Sequence, residues 1–174
     1  ICIEELARVD PSIALSVAAH NGLGASHICM FGTEAQKQRY LVPLARGEKI
    51  AAWGLTEATA GSDAAAMRTT AVREGQCWVL DGAKAFITHG RVGDIVVAMA
   101  VTDRAAGHRG ISAFIIERGH PGMSAGRKED KLGMRASDTS EVVFQSCRVP
   151  ADQLLGQDGQ GFINTLQVLD AGRI

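Results

Sequence analysis

The sequence lacks an excess of charge of one sign, cysteines at paired spacing, and any long apolar run. Eighteen Lys and Arg stand against 19 Asp and Glu, a formal net charge of -1. Nothing in that balance draws the chain to nucleic acid or an anionic membrane, so an anionic ligand has to be held by local groups. Cys2, Cys29, Cys77 and Cys147 stand far apart, without metal-ligand or redox spacing, which argues against a disulfide framework or a zinc site and for reduced thiols. The five histidines likewise show no ligand pattern, and no metal is expected. Apolar runs such as "IVVAMAV" at 95–101 are too short to cross a bilayer, and no basic-then-apolar leader opens the chain. The expectation is a soluble protein.

What is present is enough apolar material for a core: 174 residues, 46% hydrophobic, which suits one domain with pieces of a neighbour. Both ends read as cut. The chain opens without Met on "ICIEELARVD", already at helical spacing, and closes on "FINTLQVLDAGRI", whose Phe162, Leu166 and Leu169 mark one helical face with no stop after it.

The period of the apolar residues changes twice. "IEELARV", "SIALSVAAHNGLGASHICMFG" and "TEAQKQRYLVPLARG" read as helices, the last with Thr33 as N-cap, Gly47 as stop, and a kink or early end at Pro43. From Lys49 the chain breaks into short β-branched or aromatic runs: "KIAAWGLTE", "MRTTAVREG", "CWVLDGAKAFITHG", "DIVVAMAVTD", "GISAFIIERG" and "SEVVFQSCRVP". Gly, Asp and Pro punctuate them, as in an antiparallel sandwich or barrel. "LDGAK" at 80–84 is the clearest hairpin signal. After the loop "GQDGQG" at 156–161 the helical period returns. The fold class is therefore α+β, with an antiparallel, barrel-like β-domain at 49–157 between helical segments at 1–48 and 158–174.

Few motifs can carry chemistry. "GLGASH" at 22–27 begins like a dinucleotide loop, but His27 stands where the third glycine belongs and no strand precedes it. Ser62 lacks a nucleophile elbow and a base. Glu57 and Asp63 are a possible acid and base pair, although residues that bracket a polar loop more often accept from its backbone N–H groups. His89, after "FIT", reads as a solvated histidine at a strand end, with a place near a site as the other option. "GLTEATAGSD", Gly54 to Asp63, is either a polar turn or a cradle of small hydroxyl residues and glycines for a ligand. "WGLTE" and "AFIT" each pair apolar bulk with a threonine hydroxyl. A planar heteroaromatic cofactor needs that combination, and flavin is the natural candidate.

"WGLTEATAGSD", "LDGAKAFITHG", "RKEDKLGMRASDTSEVVFQSCRVP" and "GQDGQGFINTLQVLDAGRI", in that order, closely resemble the middle of the acyl-CoA dehydrogenases, most of all the short-chain, butyryl-type branch. The resemblance covers essentially the whole chain. It implies a β-barrel-like middle domain between two helical domains, FAD as cofactor, and oxidation of an acyl-CoA thioester to the trans-2-enoyl-CoA. It also implies a homotetramer, an electron-transfer flavoprotein as partner, and a bacterial cytoplasm or mitochondrial matrix as location.

For the site, the resemblance implies that Trp53, Gly54, Leu55, Thr56, Glu57, Gly61 and Ser62 wrap the flavin, with Phe86, Ile87 and Thr88 on its other side. Ser62 also matches a residue at the CoA chain, and Asp170, Ala171, Gly172 and Arg173 match the helix segment that contacts the nucleotide portion of the thioester. The family's usual catalytic glutamate lies on a later helical domain. A minority branch places it just before the arginine of this last helix, where Gly172 stands, so no residue of this chain is expected to be the base. Ala58 and Thr59 replace a common Pro-Gly pair, and Phe86 replaces the usual tryptophan. Two other readings remain: an oxygen-using member of the same superfamily, an oxidase or monooxygenase, and a non-catalytic module that binds flavin or CoA or only packs against partner subunits.

Overall fold

The alternation of the apolar residues in the fourth strand organises the molecule. In the computed structural model, which describes residues 1–172, strand Ile95–Val101 is buried along all seven residues. Ile95, Val97 and Met99 belong to one core cluster, and Val96, Ala98 and Ala100 to a second. Side chains on a strand alternate between faces, so a run without polar residues has both faces covered. The first cluster packs the sheet against the helices through Ile28, Tyr40 and Leu44. The second is closed over by the sheet itself, since it also takes in Leu80, Val142, Phe144 and Val149.

The helical layer comprises α1 (Cys2–Val9), α2 (Pro11–Ala19), α3 (Ser26–Phe31), α4 (Glu34–Gln36) and α5 (Val42–Ala45). α2 and α3 are one continuous run joined through a π-helical stretch at His20–Ala25, so "GLGASH" is helix. Thr33 caps α4 in a reciprocal box with Gln36, which satisfies two otherwise orphaned N–H groups. Before Pro43 the helix widens to a π turn at Lys37–Leu41, and it ends at Ala45 with Gly47 at φ 71.

The strands are β1 (Ala51–Gly54), β2 (Thr70–Glu74), β3 (Cys77–Thr88), β4 (Ile95–Val101), β5 (Ile111–Glu117), β6 (Met123–Lys128), β7 (Thr139–Pro150) and β8 (Leu154–Leu155), followed by α6 (Gly161–Gly172). They form one sheet in the order β6-β7-β3-β2-β4-β5-β8, with β1 also on β4. The sheet is not closed, and it is mixed rather than purely antiparallel. β1 runs parallel to β4 along Ile95 to Ala98, and β2 meets β4 in parallel at Val101. The two share one edge of β4, and residues 55–69 leave the sheet between them.

The Asp81-Gly82 pair is not a turn. It lies inside β3, where the register against β7 slips between Leu80 and Gly82, with Gly82 at φ 144. Asp81 accepts a hydrogen bond from the Ser146 N–H across the slip at 2.7 Å. A β-bulge uses the same residue chemistry as a hairpin turn. The β2–β3 hairpin instead turns through Gly75 and Gln76, with Gly75 at φ 61. β6, with no fully buried residue, gave no apolar alternation to read.

Two histidines, His20 and His27, join the helical layer to β1, and a third, His89, ties the end of β3 to it. His20 Nδ1 accepts from the Ala51 N–H at 3.0 Å, while His89 Nδ1 donates to the Ala51 carbonyl at 2.9 Å. His89 is therefore buried, not solvated, at 5% exposure. His27, fully buried in α3, accepts from the Trp53 indole N–H at 3.0 Å and packs edge-on against Phe31.

Burial pushes the His27 imidazole down to about 4 from 6.5. The unfolded chain therefore holds the extra proton between those values, and stability falls as pH drops through that window. The loss is at most on the order of 3 kcal/mol. Denaturant unfolding followed from pH 6.5 downwards will show a shallower loss for His27→Phe than for the unsubstituted protein; identical pH dependences would refute the assignment.

Candidate functional site

β1 and β3 end side by side, and their ends form a cleft. One wall is Trp53, Leu55 and Thr56; the other is Phe86, Ile87 and Thr88; Leu23 and Ala19 of the helical layer close it from behind. A backbone hydrogen bond ties the walls together, from the Ala85 N–H to the Thr56 carbonyl at 2.8 Å.

A second bulge shapes the β3 wall. Between Lys84 and Ile87 the register against β7 slips again, three residues facing a step of two from Val142 to Ser140. The extra residue leaves the pleat, and the strand bends there. Phe86 takes a left-handed backbone at φ 58, and the residue is 61% exposed. For an L-aromatic residue that conformation costs about 1–3 kcal/mol, and such strain concentrates at ligand sites. The ring is held where a bound group can cover it.

The opposite wall is held from behind. Gly54 is buried under Lys84, and a Cβ there would lie 3.2 Å from the lysine Cγ. After Thr56 the chain turns sharply, with Glu57 and Ala60 exchanging backbone hydrogen bonds at 3.0 and 3.1 Å, which puts Ala58 and Thr59 at an exposed tip. The Glu57 carboxylate points inward. Its Oε1 lies 2.8 Å from Lys84 Nζ and accepts from the Thr69 N–H at 3.0 Å, and its Oε2 accepts from the Arg68 N–H at 2.7 Å. Burial works to raise this carboxyl, but Lys84 and the two amides outweigh it and hold it below the ordinary value. Glu57 is thus an ionised acceptor for loop N–H groups. Asp63 is exposed and forms no acid and base pair with it.

The structure brings together Trp53, Leu55, Thr56, Phe86, Ile87 and Thr88. Gly54 and Glu57 lie behind the wall, and Gly61 and Ser62 are exposed on the outer limb of the loop. Asp170 is exposed near the end of α6, Ala171 and Gly172 are its final residues, and Arg173 lies outside the described residues. Sequence reasoning missed Lys84 and His27. A single lysine at an inward position of the apolar run "KAFIT" was the available signal for the first, because a buried ammonium needs a partner.

Apolar walls, two threonine side chains and a strained, exposed aromatic ring fit a planar heteroaromatic group such as the isoalloxazine of FAD.

Comparison with known proteins agrees with this arrangement. Residues 52–147 match the family described as acyl-CoA dehydrogenase, middle domain, and residues 1–48 match acyl-CoA dehydrogenase, N-terminal domain. The chain is 52% identical over 174 residues to a short-chain specific acyl-CoA dehydrogenase of Clostridium acetobutylicum, covering 100% of this chain and 46% of the relative. Among solved structures, butyryl-CoA dehydrogenase of Megasphaera elsdenii superposes with a TM-score of 0.97 at 46% identity, over 98% of this chain and 45% of that one. A chain in a structure described as the electron transferring flavoprotein of Acidaminococcus fermentans superposes with a TM-score of 0.97 at 48% identity, over 98% of this chain and 45% of that one. The chain spans a little under half the length of the relatives it matches, and it belongs to the acyl-CoA dehydrogenase family.

Proposed function

We propose that the intact protein is an FAD-dependent dehydrogenase of short-chain acyl-CoA thioesters, yielding the trans-2-enoyl-CoA. The observation that carries this reading is the convergence of Trp53, Leu55 and Thr56 with the strained Phe86, Ile87 and Thr88 in one cleft. Residues 1–48 are the end of an N-terminal helical domain, 49–157 the middle domain, and 158–174 the start of a C-terminal helical domain.

When bound, FAD supplies the acceptor for the β-hydride of the thioester. The part of this chain is to bind and orient. Trp53, Leu55 and Phe86 would pack against the ring, and the hydroxyls of Thr56 and Thr88 would serve as donors to its polar edge. Displacing water from such a cleft strengthens each of those contacts. Ser62, on the outer limb, serves both ligands, and Asp170 to Arg173 serve the nucleotide portion of CoA. Abstraction of the α-proton needs a carboxylate across the acyl chain from the ring. Glu57 is excluded from that task because Lys84 and two backbone amides already engage it. No residue of this chain is assigned as the base.

The same reading makes an electron-transfer flavoprotein the partner, consistent with how one structural neighbour is described. It makes the intact assembly a homotetramer in a bacterial cytoplasm or a mitochondrial matrix.

An anaerobic visible spectrum of the intact gene product, before and after butyryl-CoA, tests the reading. Bleaching of a bound flavin is the expected result. A yellow protein that no acyl-CoA bleaches would refute it and leave a flavin monooxygenase, rapid return of the colour on admitting air would point to an oxidase, and a folded protein that takes up no FAD would leave a packing module. Thr56→Ala will weaken FAD binding by about tenfold, the worth of one hydrogen bond in a dry site, and will slow flavin reduction. Ser62→Ala will weaken acyl-CoA binding more than it weakens flavin retention; equal loss of both would show that the loop acts only as one structural unit.

A further inference from the structure

Lys84 is fully buried on β3, two residues before the strained Phe86. Its ammonium reaches three acceptors: Glu57 Oε1 at 2.8 Å, the Leu55 carbonyl at 3.3 Å and Met67 Sδ at 3.8 Å. An ammonium has three donors, so all are directed. Glu57 is equally engaged, through the amides of Arg68 and Thr69. The pair therefore joins three segments: the end of β1 with its loop, the return of that loop at residues 67–69, and β3. Next to it on β3, the Ala85 N–H holds the Thr56 carbonyl at 2.8 Å. Successive carbonyls of the cleft wall, those of Leu55 and Thr56, are thus held by successive residues of β3.

We propose that the Lys84–Glu57 pair positions the cofactor cleft, fixing the Leu55–Thr56 backbone against β3 so that the wall is set before the ring arrives. The inference rests on the flavin reading above. Two apolar side chains of similar volume would stabilise this interior as well or better, since the desolvation of a buried ion pair consumes most of its attraction. Apolar contact is non-directional. With its other two donors aimed at Glu57 and Met67, the ammonium directs the third at the Leu55 carbonyl, and Gly54 leaves room for the lysine stem to pass beneath the wall. Neither Lys84 nor Glu57 lines the cleft, so both act through the backbone and are positioning residues.

The test compares Lys84→Met, Glu57→Gln and the double variant in the intact protein with Val149→Ala, a core truncation at the far end of the β3–β7 pairing. Each apoprotein is checked for folding by circular dichroism. The readouts are the FAD dissociation constant, the visible bands of bound flavin, and hydrogen exchange of the Arg68, Thr69 and Ala85 amides. Each charge variant will weaken FAD binding by about tenfold or more, shift the flavin bands and speed exchange at those amides, while Val149→Ala, equally destabilised, changes none of them. Glu57→Gln keeps the shape of the site and decides the matter if Lys84→Met does not fold. Folded charge variants that bind FAD with unchanged affinity and spectrum would overturn the positioning role and leave the flavin reading intact. A folded, unsubstituted protein that takes up no FAD would overturn both.

Discussion

The ammonium of Lys84 sits on β3 with no access to water, 2.8 Å from the carboxylate of Glu57. Breaking such a pair on one side costs about 3–5 kcal/mol, because an uncompensated charge remains inside. The segment from Gly54 to Thr69 must therefore run where Glu57 can reach the lysine, and Leu55 and Thr56 of this segment form part of one wall of the cleft. Burial lowers the lysine's pKa while Glu57 supports its charge, and Lys84 in turn keeps Glu57 ionised. Each group holds the other in its charged form.

Around that constraint the sheet supplies two kinds of irregularity, and both serve the site. One edge of β4 is divided between β1 and β2, so the intervening loop can leave the sheet without breaking it. The bulge at Ala85 and Phe86 interrupts the pairing of β3 with β7, and it turns Phe86 out of the pleat with a left-handed backbone. A regular strand would direct that side chain along the alternation of its neighbours. The helical layer holds the other end of the Trp53–Thr56 wall, since Trp53 is held through its indole N–H by a neutral His27.

Much of this was legible in the sequence. The shift from helical to strand period near Lys49, the cap at Thr33 and the stop at Gly47 follow from local chemistry, and the structure agrees. "WGLTE" and "AFIT" marked both walls of the cleft. What local chemistry could not show was set by partners distant in sequence. Asp81-Gly82 has the composition of a turn, and only the pairing with Ser146 and the slip against β7 make it a bulge. His89 looks like a solvated strand-end residue until Ala51 of β1 provides its acceptor. Parallel pairing of β1 with β4 joins segments more than forty residues apart, and alternation within a strand carries no information about the direction of its neighbour. Glu57 already reads more as an acceptor for loop N–H groups than as an acid or base, as the amides of Arg68 and Thr69 bear out, but its partner Lys84 is visible only in the fold.

The account's central claim is that the two strand ends form the seat of a flavin ring. A crystal structure of the intact protein with FAD tests this most directly. The account predicts the isoalloxazine between Phe86 and Trp53, with its polar edge within hydrogen-bond distance of the Thr56 hydroxyl and the Lys84–Glu57 pair unchanged behind it. A ring seated elsewhere, or one whose entry separates Lys84 from Glu57, would contradict it.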